Sequence, residues 1–457
     1  MFGTLDTAAR SGSERDQLFR EVQSFPTFDA IGNGELFSLC LSNKTTALTH
    51  GMHRFPAKYI PQIPGWVMGQ FAQKDDVVLD PFCGSGTTLV EGLLRSGKTI
   101  GLDCDPLACM ISRAKTAAVN PARIRKLGLD LRQTWKSPAT QLIPPMPDLT
   151  NFDHWFSRNT WGNLQSLFAS IVALDATAEE LNFLLCVFSS IIRRVSNADD
   201  QSQKTYVSGT LKKNPPEVEG LFYRVLEKAL DGLEELALLR SPSAEAIAIQ
   251  GDATDIQLPN QSVDLIITSP PYLDSVDYMY NFMLEYFWLG PMLGVQDRRT
   301  FNQMRRGVTG AKNPLSNSTP SLPKSLEDLI SEVDMTPHRV AAIRAYCDNM
   351  ARHFHSAAKT LKPGGFYFLV IGNSRTGKGV LPMHDSLTRL AADAGFIFEK
   401  AFGYRIRRHY MKFPRSGRGG IITMDWVIAL KKTQKPAPYP ARLPLPDFTL
   451  RHDEVAN

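Results

Sequence analysis

Apolar and polar positions along this chain switch between two periods. "VVLDPFCGSGTT" (Val77–Thr88) is a short apolar run closed by a glycine-rich turn, "LVEGLLRSG" follows at helical spacing, and "KTIGLDCDP" is strand-like again. That order predicts a parallel βαβ unit. From about residue 120 to 245 the period is helical throughout, in "LQSLFASIVAL", "ELNFLLCVFSSIIRRV" and "VEGLFYRVLEKALDGLEELALL". Strand-like runs resume at "AIAIQGDAT" and "SVDLIITSPPY". They are followed by the helix "AYCDNMARHFHSAAKTL", the turn "KPGG", the strand "FYFLVIGN", a helix near "HDSLTRLAADAG" and the closing strand "MDWVIALKK". Strands alternating with helices predict an α/β fold, a doubly wound sheet interrupted by a helical insertion. The expected divisions are an N-terminal extension (1–45), a first α/β part (46–120), the insertion (121–245), a second α/β part (246–432) and a Pro-rich tail (433–457). Between Gly290 and about Arg339 the chain reads as a long polar loop, which in a compact domain is usually functional.

Composition narrows the classes. The chain has 457 residues, 43% of them hydrophobic, enough for a large core. No apolar run approaches the roughly 20 residues that cross a bilayer, and the first residues lack a basic-then-apolar leader pattern. Cys40, Cys83, Cys104, Cys109, Cys186 and Cys347 form no Cys-x-x-Cys pair. A reduced, cytoplasmic protein without a structural metal is expected. The net charge of +5 is modest, but its distribution is uneven. "YRIRRHYMKFPRSGRGG" gathers Arg405, Arg407, Arg408, Lys412, Arg415 and Arg418 with aromatics and no acid, and a second cluster holds Arg298, Arg299, Arg305, Arg306 and Lys312. Either is a candidate nucleic-acid contact or a solvated face.

Four strand ends carry candidate chemistry. After the first strand, Gly84 and Gly86 allow positive φ and close backbone approach to a ligand, with free N–H groups at the next helix start. No Lys follows, so this is not a nucleotide-triphosphate loop. Roughly 20 residues on, Asp103 ends the second strand, where an acid in a doubly wound sheet accepts from a ribose diol. Asp252 ends another strand in "GDATD". At "TSPPY", Pro270 and Pro271 fix the backbone and withhold two donors, holding Ser269 and Tyr272 on a stiff extended turn. Cys83 lies in the glycine loop and reads as a small core thiol. His50, His53, Asn373 and Arg375 are weaker candidates for substrate contact. Arg193, Arg194, Ser196 and Asn197 at the end of an insertion helix either contact phosphate or cap the helix.

In the order "FPAKYIP", "DPFCGSGTT", "GLD", "GDATD" and "TSPPY", the chain resembles the S-adenosylmethionine-dependent exocyclic-amino DNA methyltransferases, and the serine form of the last motif resembles their cytosine-N4 branch. The resemblance covers both α/β portions, not the helical insertion or the tails. It implies a Rossmann-like methyltransferase fold with S-adenosylmethionine as cofactor and double-stranded DNA as partner. It places Phe55 against the methionine or adenine end. It sets Asp80, Pro81, Phe82, Gly84, Ser85, Gly86 and Thr87 around the methionine moiety, Asp103 on the ribose and Asp252 at the adenine edge. Ser269 and the Pro270 carbonyl would accept the two N–H bonds of a flipped-out cytosine, and Tyr272 would stack on its face. Adenine N6, a guanosine amino group in transfer RNA, and a non-catalytic DNA-binding role are the competing readings. A restriction–modification setting with a cognate endonuclease is the expected context. The 290–340 loop and the basic run are the preferred DNA-reading segments.

Overall fold

The computed structural model describes residues 19–39, 45–95, 97–135, 152–200, 202, 204–210, 212–273, 277–311, 322, 327, 335–376, 379–406 and 424–433. A nine-stranded sheet runs through them. Its strands are β1 (Arg20–Val22), β2 (Leu36–Leu39), β3 (Val77–Asp80), β4 (Gly97–Asp103), β5 (Ala244–Gln250), β6 (Val263–Thr268), β7 (Leu361–Ile371), β10 (Phe396–Arg405) and β11 (Met424–Lys432). They lie in the order β1-β2-β10-β11-β7-β6-β3-β4-β5. Only β11 runs antiparallel to its neighbours, between β7 and β10; every other pairing is parallel. A separate short hairpin pairs β8 (Ser374–Thr376) with β9 (Gly379–Leu381).

The central strands are buried on both faces, which explains their near-continuous apolar sequence. Along β7, Tyr367, Leu369 and Ile371 join one core with the helices Pro337–Thr360 and Met383–Asp393. The intervening Phe368 and Val370 join the other, with helix Gln62–Phe71 and the rings of Phe25, Phe37 and Phe402. A third core is helical. It unites helices Pro106–Thr116, Pro121–Thr134, Arg158–Val172, Ala178–Val195 and Val218–Leu239 with Met283–Leu289. Their starts are written in the sequence: Asp105 and Asn120 cap helices that begin with proline, and Thr177 and Glu180 form a reciprocal capping box.

Several expectations change. The N-terminal extension supplies β1 and β2, which continue the sheet beyond β10. The polar loop expected after Gly290 contains a helix, Arg298–Gly307, capped by Asp297 and anchored by buried Phe301. "KPGG" lies within β7, where Gly364 takes a φ of 80°. Ser374–Thr376, within the stretch "NSRTGKG" read as a loop, form β8 and pair with β9. No helix among the described residues is long and apolar enough to cross a membrane.

Candidate active site

Sheet order reverses between β3 and β6, one neighbour leading to β4 and the other to β7. At such a switch point the loops leaving the strand ends diverge and open a crevice. A cleft opens there. Phe55, Pro81, Phe82, Gly84, Ser85, Thr87, Asp103, Asp252, Ser269 and Pro271 all line it. Five motifs spread over more than 200 residues, from Phe55 to Pro271, thus meet at one surface.

The glycine loop is held rigidly. Gly84 has a φ of 49°, a backbone conformation that strains any other residue, and a Cβ there would press on the Phe55 ring at 3.1 Å. The Gly84 N–H donates to Asp103 Oδ2 at 2.9 Å, tying the loop to the end of β4. The Asp105 N–H donates to the other Asp103 oxygen, also at 2.9 Å. Burial, reinforced by the nearby Asp105 carboxylate, pushes Asp103 up to about 7. Phe55 faces Tyr278 nearly in parallel, with ring centroids 6.1 Å apart.

Other expected residues sit behind the wall. Asp80 is fully buried and does not line the cleft. It accepts from Thr268 at 2.7 Å, from Tyr59 and the Phe82 N–H at 3.2 Å, and from Thr88. Its task is to pin the ends of β3 and β6 together. Gly86 starts the following helix at a φ of 76°, packed on Ser112. Pro270 is buried between Ser269 and Pro271, which line the cleft. Tyr272 packs its ring toward the sheet core and donates its phenol proton to Asp425 at 2.9 Å.

Residues 39–113, which carry "FPAKYIP", the glycine loop and Asp103, match the DNA methylase (N6/N4 methyltransferase) family. The chain is 27% identical to Type II methyltransferase M.MvaI of Kocuria varians over 404 residues, 82% of this chain and 86% of that protein. Together these similarities support the S-adenosylmethionine-dependent N6/N4 DNA methyltransferase family for this chain. A shorter match, 33% identical over 95 residues, covers 21% of the chain and 18% of Type II methyltransferase M.MjaII of Methanocaldococcus jannaschii. Among solved structures, a SAM-dependent methyltransferase from Methanosarcina mazei aligns over 81% of this chain and 98% of its own, at 10% identity and a TM-score of 0.30.

The methyltransferase cleft holds groups that the sequence pattern did not single out. Asp105 caps helix Pro106–Thr116 through Oδ1, which also accepts from Tyr286 at 2.5 Å. Its Oδ2 and the Ser85 hydroxyl are buried at the cleft without a hydrogen-bond partner among the described residues. Both suit the amino, carboxylate and hydroxyl groups of the cofactor. Lys58, in "FPAKY", also lines the cleft; burial lowers it to about 8. Gly307, Val308 and Thr309 close one side, at the end of the unexpected helix. The signal for Asp105 was its place before Pro106, a helix start; for Lys58, only its neighbours.

The weaker candidates resolve into structure. Arg193 is buried and donates to the carbonyls of Asp199, Ser202 and Lys204, organising the helix end. Asn373 accepts from His384 and does not line the cleft. His53 is bonded to Ser189 and His50 to Glu91. Arg305 is engaged by Asp277 at 2.5 Å. Arg405 ends β10; Arg407, Arg408, Lys412, Arg415 and Arg418 lie outside the described residues.

Asp103 gives a pH prediction. Its raised pKa means the free protein carries a protonated carboxyl below about 7, whereas the ribose role that the resemblance implies for it calls for the anion. Cofactor affinity should therefore fall as pH drops below about 7, approaching about tenfold per unit. Titration calorimetry between pH 5.5 and 8.5 should show this slope, and Asp103→Asn should bind weakly with a flattened profile.

Proposed function

We propose that this methyltransferase transfers a methyl group to the N4 amino nitrogen of a cytosine flipped out of duplex DNA. One observation carries the reading: Ser269 and Pro271 face the same cleft as Gly84, Ser85 and Asp103. S-adenosylmethionine, when bound, supplies the electrophilic sulfonium methyl. Phe55 offers an apolar ring, Asp103 receives the ribose and Asp252 the adenine edge.

The cytosine amino group is a poor nucleophile because its lone pair is delocalised into the ring. The Ser269 hydroxyl oxygen and the Pro270 carbonyl accept its two N–H bonds, which favours a tetrahedral nitrogen with its lone pair aimed at the methyl. The gain is preorganisation and alignment, with no covalent enzyme intermediate. The two prolines keep these acceptors from relaxing, and the base must leave the stack to reach them. DNA is held by the basic run at 404–420 and the segment at 290–340, whose helix Arg298–Gly307 reaches the cleft wall. The likeness to Type II methyltransferases supports a restriction–modification role, with an endonuclease of the same site as companion.

The test is incubation with labelled cofactor and mixed-sequence duplex DNA, followed by nucleoside mass spectrometry. N4-methylcytosine is the expected product. N6-methyladenine would retain the mechanism and overturn the base assignment; labelled transfer RNA alone would overturn DNA as substrate.

A further inference from the structure

The turn that carries Asp252 is held by helix Pro337–Thr360. The Arg352 guanidinium donates to Thr254 Oγ1 at 2.7 Å, His353 Nδ1 bonds the Ala253 carbonyl at 2.9 Å, and Ser356 Oγ accepts from the Ile256 N–H at 2.8 Å. Within the turn the Thr254 N–H donates to Asp252 Oδ1 at 2.8 Å, and the Gly251 N–H ties its start to the Asp103 carbonyl at 3.0 Å. Arg352 is exposed, where water competes for its bond, whereas His353 is fully buried. A carbonyl only accepts, so Nδ1 carries the proton and Nε2 accepts from the Tyr367 phenol at 2.8 Å. Burial lowers His353 to about 4, which keeps the imidazole neutral and this tautomer in place. The same ring meets Phe82 edge to face, with centroids 4.8 Å apart. Phe82, Asp252 and Ala253 line the cleft; His353 does not. One imidazole therefore joins the glycine loop to the turn after β5.

We propose that His353 is a positioning residue for the cofactor: by holding the Ala253 carbonyl and backing the Phe82 ring, it sets the Asp252 carboxylate where it accepts a hydrogen bond from the adenine amino group. Asp252 Oδ1 is engaged by the turn, which leaves Oδ2 as its acceptor for a ligand. Ala253 is the next residue, so a slip of its carbonyl turns the carboxylate away. An acceptor selects between an amino group and its replacement only when it is held in place before the ligand arrives. This inference rests on the assignment of Asp252 to the adenine edge.

Binding calorimetry with S-adenosylhomocysteine and with S-inosylhomocysteine, which has an oxo group in place of the adenine amino group, tests it without turnover. The parent should prefer the adenine ligand by about 10-fold or more, the effect of one hydrogen bond to a charged acceptor. His353→Phe keeps a ring against Phe82 and loses both hydrogen bonds, and the preference should fall to about twofold or less. His353→Asn, whose amide nitrogen stands where Nδ1 stood, should restore most of it. A merely structural role would weaken both ligands alike and leave the ratio unchanged. That result, or a ratio that His353→Asn does not recover, would overturn the inference. In Asp252→Ala the preference should be gone, and adding His353→Phe should weaken the adenine ligand by less than about twofold further, because the group it positions is missing. Losses that multiply would overturn the inference as well. If His353→Phe does not fold, adding Tyr367→Phe removes the buried hydroxyl it strands, and the same ratio is read on that double variant. A full preference in Asp252→Ala, or none in the parent, would sink the adenine-edge assignment itself. Loss of preference in Asp252→Ala beside a normal His353→Phe would sink only the positioning role.

Discussion

Replacing Ser269 by alanine is expected to lower kcat by roughly 10²- to 10³-fold while leaving S-adenosylmethionine affinity within about twofold. The size follows from losing one preorganised polar contact to a reacting centre in a site shielded from water. The residual rate comes from the Pro270 carbonyl and from alignment of the two substrates, neither of which the substitution touches. The split between kcat and binding is the informative part. Ser269 lines the same cleft as the glycine loop without hydrogen-bonding it, whereas Asp103 bonds that loop directly. Single-turnover methylation with calorimetric cofactor binding separates the two quantities.

Asp80→Ala should produce a comparably large effect of another kind. The side chain is fully buried and accepts from Thr88, Thr268, Tyr59 and the Phe82 N–H. Removing it takes the acceptor from the buried Thr268 hydroxyl and the Phe82 N–H and leaves Tyr59 and Thr88 only each other, at about 1–3 kcal/mol for each group without a new partner. A loss on the order of 3–6 kcal/mol is a large share of the about 5–15 kcal/mol that holds a domain folded. The melting temperature should drop by roughly 10 °C or more, or the protein should accumulate insolubly. Asp80→Asn, which keeps the shape and one acceptor, should be clearly milder. A thermal shift of less than about 2 °C for Asp80→Ala would show that the hydroxyls re-pair among themselves.

The sequence made the central strands legible because burial on both faces writes them as continuous apolar runs, as in "VDLIIT" of β6. The capped helices were legible for a similarly local reason. The edge was not: β1 and β2 have three and four residues, too short for any period to register, and are strands only because β10 offers a partner. Helix Arg298–Gly307 was hidden by its charge, since it buries only Phe301 and otherwise reads as polar loop. In the site, the strand-end motifs announced themselves through Gly and Pro, whose backbone constraints are visible in one dimension. Asp80 and Tyr272 were identified with the site but not with their bonding, because their partners Thr268 and Asp425 lie 188 and 153 residues away.

Helix Pro106–Thr116 has one end at the cofactor and its body in the helical core. Leu107, Met110, Ile111 and Ala114 pack among residues of the 121–239 helices, and its cap, Asp105, lines the cleft and receives the Tyr286 phenol. A graft that cut this chain at residues 120 and 243 to exchange the helices with those of a relative would therefore divide a single oil drop. The smallest exchangeable part must begin before Asp105 and carry Tyr286 with it. Exchanging those helices would therefore bring a new wall for the cofactor with them.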